Sequence, residues 1–444
     1  ANPKGFDGFA RFAIPVAGGL AAVLIAVGLY LALIGSPPDY QQGETVRIMF
    51  VHVPAAYLAL AIYTLMTVSA LGTLVFLNVY APQSLLPVLA QEFHAGAAEV
   101  GGVIGATMLS MALASPLVGV LADAVGRRKT VIWAFALLVL PAVLAVLAHS
   151  LPALNMVRFL QGLLIPGVMV GLNAFIAEEL PVLERSRALT AYVTGTVLGG
   201  FLGRFLSGIV ANWAGWHAAF WLLAGTSLVG FVLARFLPLE TKFRPHRDPR
   251  SVLHSLGLHL RNPALLATCG VGFLILFTLV GVFNTLTLRL ADAPYGLNSA
   301  QTGFIFAVYL LGVVITPIAG PFLAARGPLV TLLSAVACSL AGLLVTLSSP
   351  LPLLIAGVAA AACGVFLSQS AALAAVQRSV TQARSLATGL YHLAYYGGAA
   401  VSSVIAGHVF EAAGWRGVVP LVMTSMGLAA LIGLLGWRGW KARG

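Results

Sequence analysis

The chain has 444 residues, of which 60% are hydrophobic and only 8% are charged. A soluble globular domain carries about 25% charged residues, so this composition excludes an ordinary water-facing surface. A net charge of +11 would indicate nucleic acid in a soluble protein, but here the basic residues lie mainly in loops between apolar runs, where they report membrane orientation instead.

Apolar runs of roughly 20 residues recur along the chain, each long enough to cross about 30 Å of hydrocarbon. The runs are continuous and do not alternate apolar with polar residues, which predicts helices and not barrel strands. We therefore predict an all-α polytopic membrane protein. The predicted spans cover residues 12–34, 62–91, 98–121, 130–149, 153–177, 188–211, 216–237, 264–288, 300–325, 328–348, 352–376, 386–409 and 417–437.

After the first of these spans come six spans, a polar stretch and six more spans. We predict four parts on this basis. They are an N-terminal membrane fragment over residues 1–65 that adds one or two transmembrane helices, a six-helix bundle over 66–238, a connector over 239–262 and a second six-helix bundle over 263–444. Two sextets that enter the membrane in the same direction match the parallel-repeat architecture of one large transporter class.

Lysine and arginine residues predict the orientation. The loops on the connector's side hold 17 basic residues, whereas the opposite loops hold 2, Arg289 and Arg416. The positive-inside rule therefore predicts that the connector and the C-terminus face the cytoplasm and that the chain crosses a bacterial inner (plasma) membrane many times. The connector-side residues are Arg127, Arg128, Lys129, Arg185, Arg187, Arg235, Lys242, Arg244, Arg247, Arg250, Arg261, Arg326, Arg378, Arg384, Arg438, Lys441 and Arg443.

The loop after the second of the twelve bundle spans reads GVLADAVGRRKTV from Gly119. It resembles the signature loop of the major facilitator superfamily, G-x-L-A-D-x-x-G-R-R/K, and departs from it at Ala124, where many members have a basic residue. A weaker copy, GPFLAARGPLV, begins at Gly320 in the second half. The resemblance implies a conformational latch between the bundles; the alternative is a topology signal alone. The latch candidates are Gly119, Asp123, Gly126, Arg127 and Arg128.

Two further motifs follow in the order that the superfamily has them. RFLQGLLIPG from Arg158 resembles its fourth-helix motif. GTVLGGFLGRFLSG from Gly195 lies in the fifth helix, where proton-coupled exporters have a glycine-rich motif with a proline, and Gly200 stands at the proline's place. With these motifs, residues 66–440 resemble the YnfM-like, twelve-helix exporter branch. The resemblance implies two six-helix bundles that rock around a central cavity.

Arginine inside an apolar run is costly unless it is paired or faces a polar cavity. For Arg158 we favour a role in coupling or substrate polarity over a tie to backbone carbonyls; for Arg204 the two readings stand equal. Other polar residues lie at cavity depth, with interhelix hydrogen bonding as the alternative. Few fixed charges favour a neutral or weakly amphiphilic substrate, although Arg158 leaves an anion open. The remaining cavity candidates are Gln161, Asn78, Gln83, Asn173, Asn284, Tyr309, Gln369, Tyr391 and Tyr395.

No Asp or Glu lies near the middle of a bundle span. Proton coupling would therefore use carboxylates at helix ends, such as Glu178, Glu179 or Asp123, or a histidine such as His392 or His408. We predict H⁺ as the coupling ion, a small-molecule substrate, a monomer in the lipid bilayer, and neither nucleic acid nor a cofactor.

The head of the chain differs from a facilitator. Its segment VRIMFVHVPAAYLALAIY resembles the start of the haem-handling cytochrome c biogenesis family CcmC, and this implies His52 as a candidate haem-iron ligand. The family's tryptophan-rich haem platform is absent, since the first tryptophan is Trp133. A single axial ligand without a platform makes a poor haem site, so we interpret residues 1–65 as a fused fragment and His52 as a passenger.

Together these features predict a secondary active transporter, not an enzyme, that exports a small organic molecule in exchange for an ion by alternating access. No phosphate-binding GxxxxGK[ST] loop is present to suggest nucleotide-driven transport. The alternatives are an importer or uniporter of the same fold and, from a different class, a haem-handling cytochrome c assembly factor.

Overall fold

The computed structural model describes residues 3–35, 37–38, 46–180, 182–241, 256–380 and 382–437. These residues are almost entirely helical. They divide into two compact units, Ala1–Thr64 and Leu65–Gly444. The predictions for Lys242, Arg244, Arg247, Arg250, Arg438, Lys441 and Arg443, and for most of the 239–262 connector, lie outside the described residues.

The first unit contains helix α1, Pro3–Tyr30, which continues as a π-helical turn over Leu31–Gly35, and the beginning of α2, Val46–Tyr80. The predicted span 12–34 lies inside α1 and its π-helical turn. Residues 18–35 are long and apolar enough to cross a membrane, and none of them is buried inside the unit.

The second unit carries the helices of both predicted bundles. The end of α2 passes into a 3₁₀ turn, Ala81–Leu85. The elements that follow are α3 Leu86–Glu92, α4 Ala97–Val125, α5 Arg127–Val146, α6 Leu151–Glu179, α7 Val182–Ala234, α8 Pro263–Ala291, α9 Ser299–Ile305, a 3₁₀ turn Phe306–Leu310, α10 Leu311–Val345, α11 Leu351–Ser379 and α12 Arg384–Gly436.

Three glycines divide the longest helices into separate crossings. Helices α7 and α12 have 53 residues each, far more than the ~20 that span a bilayer. Gly215, Gly327 and Gly414 interrupt α7, α10 and α12 with φ of 80°, 76° and 59°, a backbone region that glycine adopts without a steric penalty. Each break falls between two predicted spans. The described part of the second unit therefore has two groups of six crossings, α2–α7 and α8–α12, as predicted.

The glycine-rich stretch of α7 brings that helix close to α2. A β-carbon added to Gly195, Gly199 or Gly203 would overlap the backbone of Ser69, Thr73 or Leu77, respectively. The glycines and their partners both repeat every four residues, which is the small-residue packing typical of membrane helices. The glycine-rich motif that resembles an exporter signature thus forms the interface between α7 and α2 in the first half, and Arg204 lies on the same stretch of α7.

Candidate transport site

The predicted latch residues join several elements of the first half. The Arg127 side chain donates from Nη2 to Asp123 Oδ1 at 2.9 Å and to Glu178 Oε1 at 2.6 Å. Its backbone N–H donates to Glu240 Oε1 at 2.7 Å. Gly126, at φ 109°, allows Glu240 to approach, because a β-carbon there would lie 2.7 Å from Glu240 Oε2. These bonds connect α4, α5, α6 and the segment after α7.

Two other latch candidates, Arg128 and Gly119, differ in their contacts. Arg128 donates from Nε to the Leu237 carbonyl at 2.9 Å and from Nη2 to the Arg235 carbonyl at 2.8 Å, which fastens α5 to the end of α7. Gly119 has open space where a β-carbon would stand, so tight packing does not explain that glycine. The role of the five residues as a latch between the bundles stays a prediction.

Arg158 is completely buried on α6, and all three of its side-chain nitrogens have acceptors. Nε donates to the Val103 carbonyl at 3.3 Å, and Nη2 donates to the Val79 carbonyl at 3.0 Å. Nη1 donates to the Asn78 carbonyl at 3.1 Å and also to Gln161 Oε1. The guanidinium thereby ties α6 to α2 and α4 inside the first half. This arrangement matches the alternative in which Arg158 is tied to backbone carbonyls.

A proline explains why these carbonyls are available. In a continuous α-helix the Asn78 carbonyl would accept from the N–H of residue 82, but that residue is Pro82, which has no N–H. The helix also tightens into its 3₁₀ turn at Ala81. Around this break Gln161 Nε2 donates to Asn78 Oδ1 at 2.8 Å and Ser227 Oγ donates to the same atom at 3.3 Å. Asn78 and Gln161 therefore belong to the Arg158 network.

Arg204 is also buried, on α7, but its surroundings are of another kind. Nε donates to Gln83 Oε1 at 2.6 Å, and Nη1 donates to the Gly200 carbonyl at 2.5 Å. Among the described residues, no carboxylate is a partner of this guanidinium. Four aromatic rings surround it instead, with centroids 4.2, 4.4, 4.8 and 5.7 Å from Cζ; they are those of Tyr80, Tyr309, Phe306 and Phe283.

The Arg204 site joins the two halves. Gln83, which accepts from Arg204, donates from Nε2 to Asn284 Oδ1 at 2.5 Å, across to α8. Asn284 Nδ2 in turn donates to Ser403 Oγ on α12 at 3.3 Å. Three of the four rings around Arg204 also come from the second half. Three predicted cavity residues, Gln83, Asn284 and Tyr309, thus meet Arg204 in one buried cluster.

A third group of predicted residues forms a tyrosine cluster. Tyr391 donates from its hydroxyl to Gln369 Oε1 at 2.8 Å and stacks on Tyr395 with ring centroids 5.7 Å apart. Tyr395 contacts Tyr396, whose hydroxyl lies 3.8 Å from Met169 Sδ on α6. Asn173 donates from Nδ2 to the Met169 carbonyl at 2.8 Å, a local helix bond. The cluster reaches from the second half to the first through Met169.

The halves pack most closely at one end, which we call the far end: the end where α4 begins and the bend of α12 lies. Glu411 on α12 accepts from the Ala98 N–H of α4 at 2.9 Å, and a β-carbon on Gly407 would overlap the Ala98 backbone. On the opposite flank, a β-carbon on Gly208 of α7 would overlap the Ser299 carbonyl at the start of α9. Arg204 lies about one helical turn before Gly208 on α7.

Several residues of these clusters are not predicted from the sequence, namely Tyr80, Phe283, Phe306, Ser227, Ser403 and Glu411. Most are apolar, aromatic or small residues, whose positions in an apolar run carry no distinguishing signal. Pro82 is the available signal for the Arg158 site, because it predicts a free carbonyl four residues earlier.

No group of three or more His, Cys, Asp and Glu side chains within the described ranges could hold a metal ion. His52 is exposed on α2. Whether it ligates haem stays an open prediction.

Two family models match the chain. That of the Major Facilitator Superfamily matches residues 68–293, and that of heme exporter protein C matches residues 1–114. For the latter family, the heme exporter protein C of Bradyrhizobium diazoefficiens is 42% identical over 76 residues, which are 17% of this chain and 28% of that protein. The resemblance of the head to CcmC is therefore confirmed.

Relatives of the second unit are transporters. The inner membrane transport protein YnfM of Escherichia coli K12 is 31% identical over 364 residues, covering 82% of this chain and 87% of that protein. An uncharacterized transporter of Buchnera aphidicola from Schizaphis graminum is 31% identical over 247 residues, or 55% of this chain and 60% of that protein. These relatives are transporters and not enzymes.

Solved structures with the same fold are also transporters. The nucleoside transporter NupG, solved as a point mutant, aligns with a TM-score of 0.69 at 14% identity, over 84% of this chain and 100% of NupG. A bacterial homologue of the lysosomal transporter Spinster, in an inward-facing and occupied conformation, aligns with a TM-score of 0.67 at 16% identity, over 85% and 97% of the two chains. With its sequence relatives and its two groups of six crossings, the chain belongs to the Major Facilitator Superfamily and has the fold of its secondary transporters.

Proposed function

We propose that the chain is a proton-coupled exporter of small organic molecules that works by alternating access in a bacterial inner membrane. One observation carries this proposal. The two halves are in tight contact at the far end and less tightly packed toward the connector, as expected for one of two alternating states.

The pair α4 and α12 supports this reading along its length. At the far end Gly407 and Gly101 admit backbone of the opposing helix so closely that a β-carbon would overlap it. Toward the connector, a β-carbon on Gly389 would have its nearest contact at 3.6 Å, with Pro116 Cα, which is an ordinary van der Waals distance. The two helices are therefore packed less tightly toward the connector than at the far end, and a rocking motion would reverse that difference.

The predicted orientation assigns a side to each end. If the basic connector is cytoplasmic, the closed far end faces outward, and the more loosely packed end is the one through which substrate would enter from the cytoplasm. The tyrosine cluster, with Gln369 and Met169, then offers a mid-membrane surface of rings with few polar groups. Such a surface suits an aromatic or amphiphilic organic molecule.

For the coupling ion, proton carriage rests on groups at the helix ends and on one histidine. Glu178 bonds Arg127 at the connector end, whereas His392 lies within the tyrosine cluster, 5.8 Å from the ring centroids of both Tyr391 and Tyr396. Since an imidazole can accept and release a proton, His392 is the mid-membrane group that we assign to proton exchange.

The experiment is transport by purified protein in liposomes. An imposed pH gradient should drive uptake of an aromatic compound from a test panel into inside-acidic vesicles that contain inverted protein. His392→Gln should remove the response to the gradient while leaving exchange of labelled for unlabelled substrate. His217→Gln, on α7, is the matched control and should leave both unchanged. Substrate flux through the parent protein that does not depend on the pH gradient would contradict proton coupling and favour a uniporter.

The match of residues 1–114 to heme exporter protein C favours a second candidate function, haem handling by the head of the chain. Haemin added to the purified protein should then give a Soret band that disappears in His52→Ala and persists in His94→Ala. Without such a band the haem-handling function is rejected.

A further inference from the structure

We infer that separation of the halves at the far end uncovers an anion-binding site at Arg204, which recognises an organic carboxylate with an apolar or aromatic body. This inference rests on the proposed alternating-access function and names the class of organic molecule that the state with an open far end binds.

The charge on Arg204 has no carboxylate counter-charge in the closed conformation. Its hydrogen bonds to Gln83 and Gly200 go to neutral oxygens, and no carboxylate in the described ranges is among its partners. A buried cation in a membrane protein is costly, and such residues mark substrate and ion pathways. Arg158, equally buried, is unsuitable for binding a ligand because acceptors already occupy all three of its side-chain nitrogens.

The groups that cover Arg204 belong largely to the other half. Tyr309, Phe306 and Phe283 come from α8 and the turn after α9, and their rings would withdraw when the far end opens. Tyr80 belongs to the first half and would remain over the guanidinium, its centroid 4.2 Å from Cζ. The opened site would then present a cation beside one aromatic face.

Gln83 adds a directed donor to that site. Its Nε2 donates to Asn284 Oδ1 at 2.5 Å, and that acceptor also leaves with the second half. A carboxylate can take the place of the amide oxygen: one carboxylate oxygen accepts from Gln83 Nε2 and the other pairs with the guanidinium. Charge-assisted bonds of this kind are stronger than the neutral ones they replace. The apolar body of the ligand would lie against Tyr80.

A ligand that binds only the open far end must shift the chain toward that state. The test uses the full chain with its three native cysteines replaced by serine and with Ser299→Cys as a reporter, because Ser299 is buried where α9 meets α7. Benzoate should raise the rate of maleimide labelling at this position. Benzamide, which has the same ring and no charge, should not.

Two variants test whether the benzoate response depends on the charge of Arg204 itself. Arg204→Gln should weaken the benzoate response by roughly 10- to 100-fold in concentration, the loss expected for a hydrogen-bonded charge. Arg289→Gln is the matched control, since Arg289 also stacks on rings, those of Tyr295 and Trp415, but entirely within the second half. It should leave the response intact.

Equal effects of benzoate and benzamide on the parent chain would overturn the inference, and so would a benzoate response that survives Arg204→Gln. If Arg204→Gln does not fold, the comparison of the two probes on the parent chain still decides. Gradient-driven transport without any benzoate response would refute the anion site and leave the proposed function standing. A benzoate response without gradient-driven transport would do the opposite.

Discussion

Arg158 and Arg204 are both fully buried arginines in apolar helices of the first half, yet they are held in opposite ways. Arg158 has backbone carbonyls and Gln161 as acceptors, all within its own half. Arg204 has second-half rings around it and reaches α8 through Gln83. The first arginine ties together elements of one bundle, whereas the second lies at a contact between the two bundles, which the proposed rocking motion would break.

Burial alone therefore does not identify a functional arginine. The hydrogen-bond partners of the arginine distinguish the two cases. An arginine whose acceptors are backbone atoms of its own bundle contributes to stability in both conformations. An arginine that depends on the other bundle changes its surroundings during the cycle, and only this kind can couple a ligand to motion.

The largest expected effect is at Arg158. Arg158→Leu would leave the carbonyls of Asn78 and Val79 without their donor in the protein interior, and each such group costs about 1–3 kcal/mol. We expect the free energy of unfolding to fall by more than about 3 kcal/mol. Thermal unfolding in detergent measures this, with Arg289→Leu as the control. A loss for Arg158→Leu no greater than for the control would show that the network is not structural.

A smaller effect is expected at the contact between the halves. Asn284→Leu removes the acceptor of Gln83 Nε2 without altering Arg204 directly, so the closed far end should lose about 1–2 kcal/mol relative to the open state. Labelling of Ser299→Cys should accelerate by roughly tenfold, while the free energy of unfolding changes little. Unchanged labelling would mean that this bond does not help to hold the far end closed.

The smallest effect is expected at Glu411. Its carboxylate accepts from the Ala98 N–H in the first turn of α4, where a capping side chain contributes about 1 kcal/mol. Glu411→Ala should therefore accelerate labelling at the far end by about fivefold, and Glu411→Gln by less, since the amide keeps an acceptor. Glu99→Gln is the control, because Glu99 caps the Gly96 N–H within the same half.

Much of the fold is predictable from the sequence because membrane crossing imposes length and apolarity on every helix. The breaks at Gly215, Gly327 and Gly414 fall between predicted spans. Many residues of the site are predictable one by one, but their grouping is not. Partners such as Asn284 and Gln83 are 201 positions apart, and nothing in an apolar run indicates which helix a polar side chain faces.

The two arginines illustrate the limit. Both appear as a single cation among apolar and small residues, and sequence reasoning assigns Arg158 the larger role in coupling or substrate polarity. Its geometry instead follows from Pro82, which has no N–H to offer in the turn that ends α2 and so leaves a carbonyl to be satisfied. The role proposed for Arg204 depends on rings contributed by α8 and the turn after α9, and only the three-dimensional packing brings these together.

The most direct test of alternating contact between the halves is a reversible cross-link across the far end. Ala98→Cys and Glu411→Cys, joined by a reducible bifunctional thiol reagent, should stop transport in liposomes, and reduction should restore it. The control pair is Tyr295→Cys with Ser349→Cys, which lies within the second half, where the Tyr295 hydroxyl donates to the Ser349 carbonyl at 2.6 Å. Cross-linking this pair should leave transport unchanged. Transport that continues with the Ala98–Glu411 pair fully cross-linked would contradict the account.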